Sequence, residues 1–67
     1  MAIARVSEII ASSAKGFDDA VQQGLKRAAR TIRGITGCEV TRFQAKVDNN
    51  KLQEYRVHMN VTFLIDD

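Results

Sequence analysis

Three groups of residues in this 67-residue chain carry side chains able to do chemistry. Arg56, His58 and Asn60 recur at every second position, with Glu54 before them and Thr62 after. An extended backbone would project all five to one side. Such a row offers a guanidinium to an anionic or carbonyl-bearing ligand, or to a salt bridge with Glu39 or Glu54. His58 has no sequence neighbour of triad or metal-ligand type, which favours a solvated or salt-bridged ring. Asp48, Asn49 and Asn50 supply oxygen donors of the kind calcium takes. The loop and closing glutamate of an EF-hand are absent, however, and turn formation is the simpler role. Lys26, Arg27, Arg30 and Arg33 form the third group, a cationic cluster. The single cysteine, Cys38, reads as a small buried hydrophobe at a strand start rather than a reactive thiol. No nucleophile-base pair, phosphate-cradling glycine loop or carboxylate pair falls at workable spacing, so the chain is not read as an enzyme.

The element that must carry Arg56 and His58 is the most informative in the chain. From Leu52 to Asp66 apolar and polar residues alternate, with Tyr55, Val57, Met59, Val61, Phe63 and Ile65 on one side. That period of two predicts a half-buried β-strand. At about 3.3 Å per residue it would run roughly 45 Å. A compact globule of this chain length has a radius of gyration of only about 11 Å. Its own chain cannot shelter so long a ribbon, which must curl strongly or lie against a neighbouring subunit. Size points the same way. A single domain over residues 1–67 is too small for a comfortable core. One cysteine cannot close an internal disulfide, and no Cys/His set has zinc spacing. Oligomerisation is the remedy left.

The other elements follow from local pattern. Ile3 to Ala11 reads as a first strand whose mixed parity puts apolar residues on both faces. Ser12 and Ser13 are capping types, and Asp18 and Asp19 suit the positive end of a helix. From Phe17 through Ala20, Val21, Leu25, Ala28, Ala29 and Ile32 the apolar residues follow one helical stripe, closed by Gly34. Gly24 interrupts it at a cost of about 1 kcal/mol relative to alanine, which predicts a close approach of helix to sheet. A second strand runs from Cys38 to Val47. Its apolar parity switches between Val40 and Phe43, which predicts a β-bulge near Thr41–Arg42. Asp48-Asn49-Asn50-Lys51 then turns the chain into the last strand. Asp66 and Asp67 read as a solvated tail. The class is α+β, in the order β-α-β-β. A net charge of +2 fits a mildly basic surface, and no aromatic platform or helix-turn-helix supports nucleic-acid binding. No apolar run reaches membrane-spanning length, and no secretory leader is visible. Together with the lone thiol this suits the cytoplasm.

In order, spacing and length the chain resembles the dodecins, small β-α-β-β proteins. The resemblance rests on the strand ending at Ser12-Ser13, the run Leu25-Lys26-Arg27-Ala28-Ala29-Arg30-Thr31, the pair Glu39-Val40, and Glu54-Tyr55-Arg56-Val57 through Val61-Thr62-Phe63. It implies a three-stranded antiparallel sheet partly wrapped around one amphipathic helix, with chains assembling into a hollow dodecamer that binds a small ligand. In the family that ligand is a flavin (riboflavin or FMN), held for storage or to quench its photochemistry. The site would lie between subunits near Gly37, Cys38, Gln44 and Arg56. Typical flavin-binding members carry a tryptophan where this chain has Gly37, and a glutamine where it has Arg56. Losing the aromatic platform weakens stacking by about 1–3 kcal/mol per face, if nucleic-base stacking is a guide. Members lacking the tryptophan include a calcium-binding one, which makes a cation-holding shell the alternative. Asp48, Asn49, Asn50 and His58 are its candidate ligands. In a cage each would be repeated around symmetry axes.

Overall fold

The computed structural model describes residues 3–65; Asp66 and the proposed acidic tail lie outside them. Four elements follow one another: β1 (Ile3–Ser13), α1 (Phe17–Ala28), β2 (Ile35–Asp48) and β3 (Lys51–Ile65). The sheet is antiparallel with β3 in the centre, in the order β1-β3-β2. Period-two alternation assigned the faces of β3 correctly. Val57, Met59 and Val61 are fully buried, and they alternate with the row that carries Arg56, His58 and Asn60.

The predicted bulge is present: the register slips between Val40 and Arg42, leaving Thr41 unpaired. Its hydroxyl donates to the His58 carbonyl at 3.2 Å. The slip lets Phe43 follow Val40 onto the helix side of the sheet, opposite Val57. The β2–β3 turn is equally legible. Asn49 and Asn50 have φ of 53° and 60°, the left-handed pair that a two-residue hairpin requires and that asparagine tolerates.

The helix departs from expectation at both ends. It starts after Gly16, with no side-chain cap. Ser13 instead donates its hydroxyl to Asp19 and accepts the Lys15 N–H at 2.9 Å. The helix stops at Ala28, short of the expected end at Gly34. There the Arg30 and Thr31 N–H groups bond three residues back, to the Arg27 and Ala28 carbonyls (both 3.1 Å), which tightens the last turn and ends the helical ladder. Gly34, at φ +76°, turns the chain into β2, and its carbonyl accepts the Leu64 N–H at 3.0 Å. The glycine is a strand entry, not a helix cap.

The Ser13 bond lowers the Asp19 pKa below the ordinary aspartate range, aided by Gln23 and by the charge of Lys15 and opposed by desolvation. A lowered folded-state value means that this stabilisation is complete above the unfolded-state pKa and disappears as pH falls through the folded one. Ser13→Ala should therefore lower the unfolding midpoint at neutral pH, with the gap closing in acid. A gap that is constant with pH, measured by thermal melts from neutral down into acid, would contradict this.

Packing centres on Gly24. A Cβ at this position would lie 2.6 Å from Met59 Cε and 2.9 Å from Ala11 Cβ, so the predicted close approach is real. Ala20, Val57 and Met59 form the core, with Ile9, Ala11, Phe17, Val21 and Val40 packed around it. Little else is covered. The helix of 12 residues spans about 18 Å, whereas the molecule extends 52 Å along its longest axis. Its radius of gyration is 13.8 Å, against about 11 Å for a compact chain of this length. Ile3, Val6, Ile10, Phe43, Val47 and Leu52 are all more than half exposed. Cys38 corrects an expectation for the same reason. It lies on the helix side, opposite Val61, but past the end of the helix, and is exposed rather than buried.

Candidate functional site

The row anticipated from the sequence occupies the sheet face turned away from α1. Antiparallel register places Ser12 and Gln44 on either side of Arg56, and Ile10 and Arg42 on either side of His58. Asn60 lies between Glu8 and Glu39, and Thr62 between Val6 and Gly37. The face is therefore a polar strip flanked along β1 by the apolar Val6 and Ile10.

Two hydrogen-bonded sets organise the strip. Arg56 Nη2 donates to Glu54 Oε2 at 2.7 Å, and Arg56 Nε donates to Ser12 Oγ at 3.3 Å. The ion pair joins same-face neighbours on β3 and is partly open to solvent, so its contribution is at most about 1 kcal/mol. What it does is hold the guanidinium in one place, between β1 and β2. The second set is His58 Nε2 and Gln44 Oε1, 2.8 Å apart, where the Nε2–H tautomer donates. Sequence reasoning offered Glu54 as one partner for Arg56 and missed Gln44 as the partner of His58. Only the register, slipped by the Thr41 bulge, brings those two together.

The proposed site residues are not all gathered within one protomer. Gln44 and Arg56 are direct cross-strand neighbours. Gly37 shares their face but pairs with Thr62, six residues along β3 from Arg56 and so about 20 Å away. Cys38 belongs to the opposite face. A pocket using Gly37 with Arg56 must take them from different copies. Gly37 itself has nothing within 4 Å of where a Cβ would be. The aromatic residues add a further constraint. Phe17 stacks edge-on with both Phe43 and Tyr55, at 5.2 and 5.1 Å between centroids. Phe63 falls on the same side as Val61. The polar strip thus carries no phenylalanine or tyrosine ring; its one ring is the His58 imidazole, held by Gln44.

The cation candidates also separate. Asp48, Asn49 and Asn50 are at the hairpin tip, whereas His58 pairs with Arg42 well inside the sheet. Among the described residues no group of three or more His, Cys, Asp or Glu gathers in a ligand-like cluster. No helix among them is long and apolar enough to cross a membrane.

A thin, elongated protomer with a half-covered sheet and an exposed polar strip has the form of one class: a self-associating ligand binder. Comparison with known proteins agrees. The family model described as Dodecin matches residues 3–66. A dodecin of Thermus thermophilus is 28% identical over 60 residues, covering 90% of this chain and 87% of that protein. Among solved structures, the dodecin from Streptomyces davaonensis superposes with a TM-score of 0.94 at 27% identity, covering 98% of this chain and 97% of the other. A calcium-chelating antigen of Mycobacterium tuberculosis, calcium dodecin, gives 0.83 at 25% identity over 96% and 91%. The chain belongs to the dodecin family. It contains no tryptophan, which makes it a tryptophan-lacking member. It is accordingly a non-enzymatic, oligomeric ligand-binding protein.

Proposed function

We propose that copies of this chain, each contributing one domain over residues 1–67, close into a hollow dodecamer that stores a small molecule between subunits, in the cytoplasm. Arg56 and Gln44 would bind the ligand's polar edge, and another copy would supply the remaining wall with Gly37 and the backbone at Cys38, whose side chain is on the opposite face. The observation that carries this reading is the fixed guanidinium: Arg56 is tied to Glu54 and Ser12 on a sheet face that no other element among the described residues covers. With further N–H groups free to donate, Arg56 suits a carbonyl-bearing or anionic ligand edge.

Riboflavin or FMN fits such an edge, but with reduced affinity. No Phe or Tyr of the described residues faces the strip, and Gly37 leaves open space where a ring could stack. The missing platform corresponds to about 1–3 kcal/mol per face, or roughly a fivefold to 150-fold weaker Kd. Riboflavin fluorescence tests this. The native protein should quench it weakly, and Gly37→Trp should tighten binding by about tenfold or more. Strong quenching by the native protein, or no gain in the tryptophan variant, would defeat the assignment. The variant should fold, because the added side chain meets open space and Gly37 has no positive φ.

A second reading, a calcium-type shell without an organic ligand, is supported by the similarity to calcium dodecin. Asp48, with oxygens of Asn49 and Asn50, would be the protein's contribution, or His58 repeated about a symmetry axis. Thermal midpoints with calcium and with chelator separate the readings. A rise with calcium favours the cation shell, and equal midpoints remove it.

A further inference from the structure

On the other side of the sheet, β1 and α1 enclose a groove of about 560 Å³, within the size range of small-ligand pockets. Its floor is closed, because Gly24 packs directly on Ala11 and Met59. Gly24 and Ala28 of the helix are buried, and Ala11 with Ile9 forms the β1 wall, while Ile32 lies at the far end. Gln23 and Arg27, both exposed, are at its mouth.

A second hollow, of about 380 Å³, adjoins the first. Gln23, Lys26, Arg27 and Arg30 line it, so the two share Gln23 and Arg27. Among the described residues none of these cations has an ion-pair partner. No acidic residue occurs between Asp19 and Glu39. Gln22 and Gln23 stand four residues before Lys26 and Arg27, where glutamates would form stabilising pairs. The ion pair found among the described residues, Arg56–Glu54, is on the opposite face of the sheet. Lys26 and Arg30 line the same hollow, so like charges stand together there.

From this juxtaposition we infer that the β1–α1 groove is a second ligand site, taking a small soluble amphipathic anion. An alkyl or aryl body lies over Ile9, Ala11, Gly24 and Ala28, and a carboxylate head meets Arg27, Lys26 and Arg30. Apolar burial supplies the affinity, and the cations select for charge. The groove adjoins the polar strip along β1, where Ile10 and Ser12 also line it, but its cations belong to the helix side alone.

Decanoate, kept below its micellar concentration, is the probe, with decanol as its uncharged counterpart. Titrated calorimetrically into the assembled protein, decanoate should saturate at one molecule per chain and bind at least about tenfold more tightly than decanol. The double variant Arg27→Gln/Arg30→Gln alters exposed side chains only and should remove that preference while leaving the decanol affinity unchanged. Amide shifts on decanoate binding should map to Ile9, Ala11, Gly24 and Ala28. Equal affinities for acid and alcohol, an unaffected double variant, shifts confined to Arg56 and His58, or no binding at millimolar decanoate would each overturn the inference.

Discussion

Met59→Ala should cost about 2–5 kcal/mol, as truncation of a fully buried long side chain does. Met59 is completely inaccessible and belongs to the three-residue core with Ala20 and Val57. A chain of this length has a total stability of only about 3–10 kcal/mol. The substitution is thus comparable with everything that holds the fold together. Gly24 sharpens the test, because Met59 Cε is the nearest atom to a Cβ built there. Gly24→Ala alone gains about 1 kcal/mol of helix propensity but must push against Met59 and Ala11, at about 1–3 kcal/mol. In the Met59→Ala background one of those two obstacles is gone, and the new methyl enters the space left by the methionine. The two changes should therefore couple favourably by about 1 kcal/mol or more. Denaturant unfolding of the four proteins at one fixed protomer concentration measures this. Strict additivity would mean that the helix is not seated on the sheet through Gly24.

Ile10→Asp is expected to break the assembly. Ile10 is 60% exposed in the protomer, as is Val6 on the same face, and lies beside His58 in the middle of the polar strip. If other copies cover that face, burying one isoleucine contributes about 1.5–3 kcal/mol per chain. An aspartate there loses this and adds the cost of an unpaired carboxylate. Because the shell is symmetric, the loss recurs at every equivalent contact. Native mass spectrometry should show the variant as dissociated chains, while Gln22→Glu on the exposed helix face remains assembled. An intact assembly of the Ile10 variant would mean that the strip faces solvent.

The outcome at particular residues shows what sequence can and cannot reveal here. Parity is a local property, so the long last strand, the Thr41 bulge and the faces of Arg56 and His58 were all readable in advance. The Asn49–Asn50 turn was readable because few other residue types accept its backbone. Gly24 was readable because a glycine within an apolar stripe demands a packing reason. The end of the helix was not. Ile32 continues the helical spacing, while the shift of the Arg30 and Thr31 N–H groups to carbonyls three residues back leaves no mark on the pattern. Nor does alternation say which strand is central, and without that the Gln44–His58 bond and the Ser12–Arg56 bond could not be foreseen. Cys38 was misjudged because apolar character predicts burial only where something covers the sheet. The candidate site was legible as a face and not as a pocket, since Gly37 and Arg56 lie about 20 Å apart within one chain.

Analytical ultracentrifugation over a dilution series, with circular dichroism on the same samples, tests most directly whether this ribbon depends on its copies. The expected result is one large closed species at micromolar concentration, with secondary structure lost as the species dissociates. A lone chain that keeps its sheet and helix at micromolar concentration would contradict the account.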